Sequence, residues 1–336
     1  MKHVTIKDIA EAANVSITTV SFVLNGKVDN ISQETIDTVM KVCKDFHYEK
    51  NYFASSLKSK VTKTIGLILP EISDAYYSSI AATMDKVLEE RGYTLLIANS
   101  EKSFERELGL YKHMEARQVD YLIILPASVS LRKENRNKLK DALEEISVKY
   151  AILDRETNFG NHIEVVNDDM LGGSLATDYL IKKGHKRIAC ITGPKDVSSS
   201  DNRLKGYMES LKKSGLPIDE SLIYVGDYKF NTAREIAKKI VQRNDVDAVF
   251  AFNDVSAYAL YDIYAENDKK IGRDISIVGF DDNSFSSLIS PALTTVRQDI
   301  KKICETAVDE LLKSDSKNGV ITISPTLVER KSVCVK

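Results

Sequence analysis

The sequence predicts an α/β protein in which a small helical amino-terminal region precedes a two-lobed core of parallel sheets. Residues 1–60 contain three amphipathic helical patterns and almost no strand signal. From Thr64 onward, short β-branched runs alternate with helical stretches, a pattern typical of βαβ units with buried parallel strands. The predicted strands are residues 64–69, 94–98, 121–125, 150–153, 187–191, 248–252 and 275–280. These units are too many for one doubly wound domain. They therefore predict two lobes, with the first break near residues 157–162.

The composition is that of a folded protein without membrane segments. The chain has 336 residues, of which 43% are hydrophobic and 29% charged, and its formal net charge is −2. At about 100–200 residues per domain, this length indicates two or three folding units. No apolar run approaches the roughly 18 residues of a membrane span, and the amino terminus does not begin a signal peptide. We therefore expect a cytoplasmic protein with no membrane partner.

Three helices are predicted in the amino-terminal region. The first covers about residues 6–13, with apolar side chains at positions i, i+3, i+4 and i+7, and Thr5 is its expected N-cap. The second begins at Ser16 and ends at Asn25, and the third begins at Ser32. Because only a short turn separates the first two helices, the region predicts a helix-turn-helix.

The second helix is the element that would enter the major groove if this unit binds DNA. Small hydroxyl side chains near its start can reach base edges, and Ile17 or Phe22 could contact a thymine methyl group. The helix spacing alone fits a helical bundle for protein interaction equally well. The outward face of this helix carries Ile17, Thr18, Ser21, Phe22 and Asn25.

Specific motifs decide between these two interpretations. They include Val-Thr-Ile-Lys-Asp-Ile-Ala at residues 4–10, Val-Ser-Ile-Thr-Thr-Val-Ser at 15–21, Phe-Asn-Asp at 252–254 and Ile-Ser-Ile-Val-Gly-Phe-Asp-Asp at 275–282. These and further collinear matches resemble the lactose-repressor (LacI/GalR) family over essentially the whole chain. The resemblance implies a transcriptional repressor that leaves its operator when a sugar or sugar derivative binds between the core lobes. It also implies a homodimer on pseudo-palindromic, double-stranded operator DNA.

The resemblance divides the chain into three parts. It implies a helix-turn-helix headpiece at residues 1–48, a hinge helix and linker at 49–62, and an effector-binding core at 63–336 that is similar to periplasmic sugar-binding proteins. Lobe 1 is expected at about residues 63–158 and 293–323, and lobe 2 at about 161–290 and 324–332. Only six residues follow Arg330, too few for the leucine-heptad helix of tetrameric members, so we expect a dimer.

The same resemblance assigns the DNA contacts. In this family a hinge leucine, here Leu57, enters the minor groove and kinks the duplex. The family usually has arginine at the positions of Phe22 and Ser55, and an arginine-proline pair at residues 49–50, so the operator sequence is expected to differ. The DNA-binding positions implied are Thr5, Ser16, Ile17, Thr18, Thr19, Ser21, Phe22, Asn25, Ser32, Tyr48, Asn51, Ala54 and Leu57.

The charge of the amino-terminal region agrees with DNA recognition that does not rely on arginine contacts to the bases. Residues 1–60 contain eight lysines and no arginine against seven acidic residues, which is a net charge of +1 and leaves −3 for the rest of the chain. This balance argues against a strong non-specific DNA binder. Operator binding is therefore expected to depend on geometry and on the hinge wedge.

Polar residues at the ends of the predicted core strands indicate an effector site, because ligands of open parallel sheets bind beyond the carboxyl ends of the strands. Carboxylates, amides and arginines beside aromatic rings suit a polyhydroxylated ligand. The resemblance assigns effector contacts to Tyr76, Asp154, Asp169, Arg203, Tyr228, Asn253, Asp281 and Gln298. For residues 253–254 and 281–282, helix N-capping is the alternative explanation. For Tyr76 and Tyr77, the alternative is packing within the lobe.

Catalytic, cofactor and metal sites are not predicted. Gly172-Gly173 lacks the spacing of a dinucleotide site, and close helix packing explains it better. The five histidines and four cysteines show no metal-ligand spacing. A solute-binding protein and a cytosolic α/β enzyme are the two alternative functions. Residues 1–60 oppose the first, and the missing motifs oppose the second.

Overall fold

The computed structural model describes residues 4–24, 26–48, 61–195 and 197–336. The chain divides into two compact units, Met1–Thr62 and Lys63–Lys336. Among the described residues, no helix is both long and apolar enough to cross a membrane. Most of the expected hinge at 49–62 lies outside the described residues. So do four of the predicted DNA-binding positions: Asn25, Asn51, Ala54 and Leu57.

The amino-terminal unit contains the three predicted helices, with bounds within about a residue of the expected ones: α1 (Ile6–Ala12), α2 (Ile17–Leu24) and α3 (Gln33–Asp45). Thr5 begins α1 through a capping box, in which its backbone N–H donates to the Asp8 carboxylate at 2.7 Å. Ile9, Val20 and Val39 are fully buried and form the centre of the small core. Each helix therefore places one apolar stripe inward, as the periodicity predicted.

The first lobe of the core is built on one parallel sheet. Its strands are β1 (Thr64–Leu69), β2 (Thr94–Asn99), β3 (Tyr121–Ile124), β4 (Lys149–Leu153), β5 (Ile163–Asn167) and β11 (Gly319–Ile323). They lie in the order β11-β5-β4-β3-β1-β2. The helices of this lobe are α4 (Ala75–Glu89), α5 (Phe104–Ala116), α6 (Lys133–Glu144) and α11 (Ile300–Leu312). Apolar clusters fill both faces of the sheet, as expected for buried parallel strands.

The second lobe repeats this architecture. Its strands are β6 (Ile188–Ile191), β7 (Ile223–Tyr224), β8 (Ala248–Ala251), β9 (Ser276–Asp281), β10 (Thr294–Arg297) and β12 (Thr326–Val328). They lie in the order β12-β10-β9-β8-β6-β7, and only the β10–β12 pairing is antiparallel among the described strands. Its helices are α7 (Asp169–Lys182), α8 (Ser198–Lys213), α9 (Phe230–Val241) and α10 (Asp254–Glu266).

The lobe boundaries expected from the sequence need correction at two strands. The prediction places β5 in lobe 2, but β5 pairs with β4 in the first sheet. It places β10 in lobe 1, but β10 pairs with β9 in the second sheet. By sheet membership, residues 64–167 and 300–323 belong to the first lobe, and residues 169–297 and 326–328 to the second.

The reason for the first error is a buried polar cluster between β4 and β5. The Thr157 backbone N–H donates to the Glu164 carboxylate at 3.1 Å, and the His162 imidazole lies 2.8 Å from the same carboxylate. The polar segment 157–162 therefore forms a turn within one sheet. In the sequence it resembled a crossing between lobes because its polar residues interrupt the apolar pattern.

Candidate effector site and DNA-reading helix

A cavity of about 480 Å³ opens between the two lobes of the core, beyond the carboxyl ends of the strands of both sheets. This volume lies within the range of roughly 300–1,000 Å³ that is usual for small-molecule sites. Its lining consists of Pro70, Asp74, Tyr76, Tyr77, Lys102, Ser128, Val129, Arg132, Asp154, Arg155, Pro194, Ser199, Arg203, Asp227, Tyr228, Lys229, Asn253, Asp281 and Gln298.

A chain of hydrogen bonds crosses the floor of this cleft from one lobe to the other. The Tyr76 hydroxyl donates to Asp154 Oδ1 at 2.7 Å and lies 3.1 Å from Gln298 Oε1. Gln298 Nε2 in turn donates to Asp281 Oδ1 at 2.9 Å. Asp154 follows β4 and Asp281 ends β9, so the chain joins the strand ends of both sheets. We call these four side chains the floor chain.

Two buried arginines flank the floor chain. Arg203 on α8 donates through Nε to Asp169 Oδ1 at 2.8 Å, and its guanidinium lies 3.5 Å from the centroid of the Phe280 ring. Arg155 lies 3.2 Å from the Asp154 carboxylate and donates to the Tyr77 hydroxyl at 3.2 Å. Both guanidinium groups therefore have an acidic partner and an aromatic neighbour, which makes their burial tolerable.

The carboxylates of the cleft are held in a strongly desolvated environment. Burial raises the pKa of Asp169, and the neighbouring Arg203 guanidinium partly offsets this effect. Burial raises the pKa of Asp281 well above its usual range, again against the attraction of Arg203. Hydrogen-bond donors brought by a ligand would favour the charged forms of these groups. The cleft thus contains hydrogen-bond acceptors whose charged forms the hydroxyl groups of a ligand would stabilise.

Three lining residues adopt a backbone conformation that is uncommon outside glycine. The φ angles are +68° at Asp154, +66° at Tyr228 and +108° at Asp281. Such conformations cost free energy and tend to cluster at functional sites. Here they turn the chain sharply at the ends of strands and direct polar or aromatic side chains into the cleft.

Close backbone approaches determine where Arg203 and Tyr228 lie. A Cβ atom at Gly173 would stand 2.2 Å from the Arg203 carbonyl oxygen, because α7 and α8 cross in direct contact. A Cβ atom at Gly193 would stand 2.1 Å from the Tyr228 ring. The helix-packing interpretation is therefore confirmed for Gly173, where the packing also positions one buried arginine of the cleft, whereas Gly172 lies against the Phe280 ring of β9.

The N-capping explanation holds for residues 253–254 but not for residues 281–282. Asn253 Oδ1 accepts from the Ser256 N–H at 3.0 Å and so caps α10, while its Nδ2 donates to the Tyr228 carbonyl and the residue also lines the cleft. Asp254 lies behind it and accepts hydrogen bonds from a neighbouring loop and from β10. A short turn rather than an α-helix follows β9, so Asp282 instead pairs with Arg297 and Arg330.

Seven of the eight residues predicted to contact an effector line the cleft, and Asp169 lies behind them as the partner of Arg203. The contacts assigned from the resemblance do not include Arg155, Tyr77 and Ser199, which also line it. Arg155 and Tyr77 had a usable signal, because each directly follows a predicted site residue. Ser199 had none, since its position depends on how α8 packs against α7.

The predicted DNA-binding side chains within the described residues fall into three groups. Thr5, Ser16 and Ser32 accept backbone hydrogen bonds at the starts of the three helices, so they have capping roles. On α2, Thr18 is exposed together with Ile17 and Phe22. Three further predicted positions are half-buried: Thr19, Ser21 and Tyr48.

Comparison with known proteins identifies the family to which this chain belongs. Residues 5–51 match the bacterial regulatory proteins of the lacI family, and residues 177–333 match the periplasmic binding protein-like domain. The transcriptional regulator DegA of Bacillus subtilis is 35% identical over 89% of this chain and 88% of its own length. The chain belongs to the LacI family. The ribose operon repressor of Escherichia coli, another relative, is 30% identical over 98% of this chain and 99% of its own.

A solved structure of a LacI-family member extends the comparison to the whole fold. The lac repressor dimer, bound to operator and an anti-inducer, superposes with a TM-score of 0.87 at 25% identity, covering 99% of this chain and 100% of that one. The predicted fold class is therefore confirmed, with a LacI-type headpiece and a periplasmic-binding-protein-like core. As a LacI-family protein, the chain is an effector-responsive, DNA-binding transcriptional regulator.

Proposed function

We propose that the protein is a homodimeric repressor that binds operator DNA through α2 and releases it when a small sugar binds in the core cleft. The observation that carries this proposal is the floor chain, which joins the two lobes through side chains suited to hydroxyl groups. Acidic and amide oxygens accept from sugar hydroxyls, while Arg155 and Arg203 can donate to them. The rings of Tyr76 and Tyr228 supply flat apolar surface for the ring faces of a sugar.

The comparisons support a sugar as the ligand class. The ribose operon repressor is a relative over nearly its full length, which makes a carbohydrate the first class to test here. We assign effector contacts to all eight residues predicted from the sequence, with Asp169 acting through Arg203, and add Arg155, Tyr77 and Ser199. The relatives named above are regulators, and we propose no catalytic role for this cleft.

The connections between the lobes suggest how binding is coupled to DNA. The chain passes between the sheets near Asp168, near Gln298 and between β11 and β12. Gln298 belongs both to one of these connections and to the floor chain. A sugar that replaces the hydrogen bonds of the floor chain would shift the relative position of the lobes, a hinge motion between discrete states. We propose that this motion disfavours an ordered hinge at residues 49–62, and with it the Leu57 wedge.

The experiment uses the full-length protein and an operator selected from a random DNA pool. Adding the effector sugar should weaken operator binding, measured by fluorescence anisotropy, and raise the melting temperature of the protein. At a sugar concentration about 100 times Kd, mass action stabilises the folded state by about 2.7 kcal/mol. Pentoses and hexoses are the first compounds to screen.

Variants separate the sensor from the DNA reader. Gln298→Ala should abolish the change in operator affinity on adding sugar, and because it also breaks the link between Tyr76 and Asp281 it should lower operator affinity without sugar. Gln242→Ala, at an exposed glutamine that ends α9, should respond normally. If no sugar changes operator binding, or if Gln298→Ala responds like the wild type, the assignment of the cleft is wrong.

A further inference from the structure

The outward face of α2 is uncharged, and two large apolar side chains stand on it beside the exposed Thr18. Ile17 and Phe22 are 47% and 45% exposed, although both are large hydrophobic side chains. The helix sequence Ile-Thr-Thr-Val-Ser-Phe-Val-Leu contains no lysine, arginine, aspartate or glutamate. The side chains best suited to read guanine, a bidentate arginine or lysine, are thus missing from this helix.

This face is fixed by the packing on the other side of the helix. Val20 and Val23 are buried in the headpiece core, and Ser16 accepts a hydrogen bond from the Thr19 N–H at 3.0 Å at the helix start. Because the inward stripe and the cap are both satisfied, Ile17 and Phe22 cannot turn inward without unpacking the helix. Their apolar surface remains available for another molecule.

The chemistry of the major groove leaves one match for such side chains. Base edges there are hydrogen-bond donors and acceptors, apart from the C5 methyl group of thymine, which is apolar. A methylated cytosine carries the same group at the same position. Exposed isoleucine and phenylalanine side chains can bury such a methyl group, whereas they would desolvate a guanine edge without replacing its hydrogen bonds.

Charge on the headpiece is too sparse to take over the recognition. Across residues 1–60, eight lysines stand against seven acidic residues, with no arginine. Contacts to phosphate supply affinity without sequence information. The lysines therefore contribute affinity, and discrimination between sequences must come mainly from the face of α2 or from DNA shape.

We propose that α2 recognises its operator through C5 methyl groups of pyrimidines, with Ile17 and Phe22 as the residues that determine specificity. This inference rests on the proposed DNA-binding function of the headpiece. It predicts half-sites with thymine at the positions that face these two side chains, and no requirement for guanine there.

Replacing single thymines of the selected operator by deoxyuridine tests the proposal, because this change removes only the methyl group. At the positions that contact Ile17 or Phe22, affinity of the full-length protein should fall about fourfold for each buried methyl group. A cytosine–guanine pair at the same position should bind weakly, and 5-methylation of that cytosine should restore part of the affinity. The comparison of cytosine with 5-methylcytosine separates recognition of the methyl group from recognition of the adenine that pairs with thymine.

Protein variants identify which side chain contacts which methyl group. Phe22→Ala should remove the deoxyuridine effect at one position, and Ile17→Ala at another. Phe46→Ala is the matched control, since Phe46 is also 45% exposed but follows α3; it should leave every deoxyuridine effect unchanged. The DNA substitutions leave the protein untouched, so poor folding of a variant cannot hide the result.

Two outcomes count against the idea in different ways. If the protein binds its operator tightly and no deoxyuridine substitution weakens it, methyl recognition by α2 is wrong although the regulator function stands. If the random pool yields no enriched sequence, the DNA-binding function itself fails, and a protein partner for the apolar face becomes the better explanation.

Discussion

The two candidate ligand surfaces of this protein depart in opposite ways from the usual rule that apolar side chains are buried and charged side chains are exposed. The headpiece exposes large apolar side chains on α2, where soluble proteins usually place polar ones. The cleft of the core buries two arginines and several aspartates, which are rarely buried unless they are paired. Each departure fits the chemistry of a different ligand, a methylated base edge in one case and a polyhydroxylated molecule in the other.

The contrast between α2 and the cleft also predicts whether a substitution changes ligand recognition alone or recognition together with stability. On α2 the exposed residues lie over a core that other side chains complete, so their removal should change recognition and little else. In the cleft the functional residues satisfy one another, so the removal of one leaves another buried and unpaired. The following experiments test this contrast, starting with the largest expected effect.

Arg203→Ala is expected to cost the most stability. It leaves Asp169 without its 2.8 Å partner in a buried site, and breaking a buried ion pair costs about 3–5 kcal/mol. Urea unfolding of the full-length protein measures this loss. Arg273→Ala is the control, because Arg273 also pairs with an aspartate at 2.8 Å but its side chain is 62% exposed. The control should lose far less stability, because solvent screens an exposed ion pair, and equal losses in both variants would contradict the role given to burial.

In the headpiece, two isoleucines provide the matching test. Ile9 is fully buried, so Ile9→Ala should lower the free energy of unfolding of this unit by about 2–5 kcal/mol. Ile17 is 47% exposed, and Ile17→Ala should change it by no more than about 0.5 kcal/mol. Hydrogen exchange of amides in α1 and α3 reports both values in the intact chain. A large loss of protection in Ile17→Ala would show that this residue belongs to the core.

The strand pattern of the core could be predicted because most strands are continuous β-branched runs. The segment β5 was missed since Glu164 interrupts its apolar residues, and only the structure shows that Thr157 and His162 satisfy this carboxylate. The segment β11 was missed because it is an edge strand with alternating exposure. Both errors come from tertiary hydrogen bonding or sheet position, which local periodicity does not encode.

The candidate site was predictable to the extent that strand ends define it. Asp154, Asn253 and Asp281 lie at or directly after predicted strands, and the topology of parallel sheets brings those ends together. Ser199 could not be found in this way, because its place in the cleft depends on the crossing of α7 and α8. That crossing requires Gly173 and Gly206. The sequence indicates close packing at residues 172–173, but not which helix lies against them.

The pH dependence of stability tests whether the core carries buried acids that cost free energy when charged. Burial raises the pKa of Glu107 to about 7 from its usual 4.5, despite hydrogen bonds from Tyr111, Ser130 and the Ala127 N–H. Because the folded state binds this proton more tightly, the stabilising contribution is complete below pH 4.5 and is lost as the pH rises through 7. The loss over that window is about 3 kcal/mol.

Urea unfolding at a series of pH values measures this contribution. In Glu107→Gln the free energy of unfolding should fall less steeply between pH 5 and pH 8 than in the wild type. Some slope should remain, because burial also raises the pKa of Asp254. The slope is the readout, since the glutamine amide itself meets hydrogen-bond donors and lowers stability at every pH. Parallel curves for the two proteins would show that Glu107 does not titrate in this range.

A smaller effect than those of Arg203→Ala and Ile9→Ala is expected from the loss of one hydroxyl group of the floor chain. Tyr76→Phe removes the hydrogen bond to Asp154 at 2.7 Å and the contact with Gln298, but keeps the aromatic ring. A hydrogen bond to a carboxylate contributes about 1.5–3 kcal/mol, so a modest loss of stability should follow. Effector affinity should fall about tenfold, a change of about 1.4 kcal/mol, because two acceptors of the cleft lose their fixed orientation.

Tyr207→Phe shows whether that affinity change belongs to the cleft. The Tyr207 hydroxyl donates to the Ile188 carbonyl oxygen at 2.7 Å, and the residue is buried in the second lobe away from the cavity lining. This variant should lose about 1 kcal/mol of stability, the usual value of a neutral hydrogen bond, and keep wild-type effector affinity. If both variants weaken effector binding equally, general destabilisation explains the effect. If only Tyr76→Phe does so, the buried polar groups of the cleft act in recognition as well as in folding.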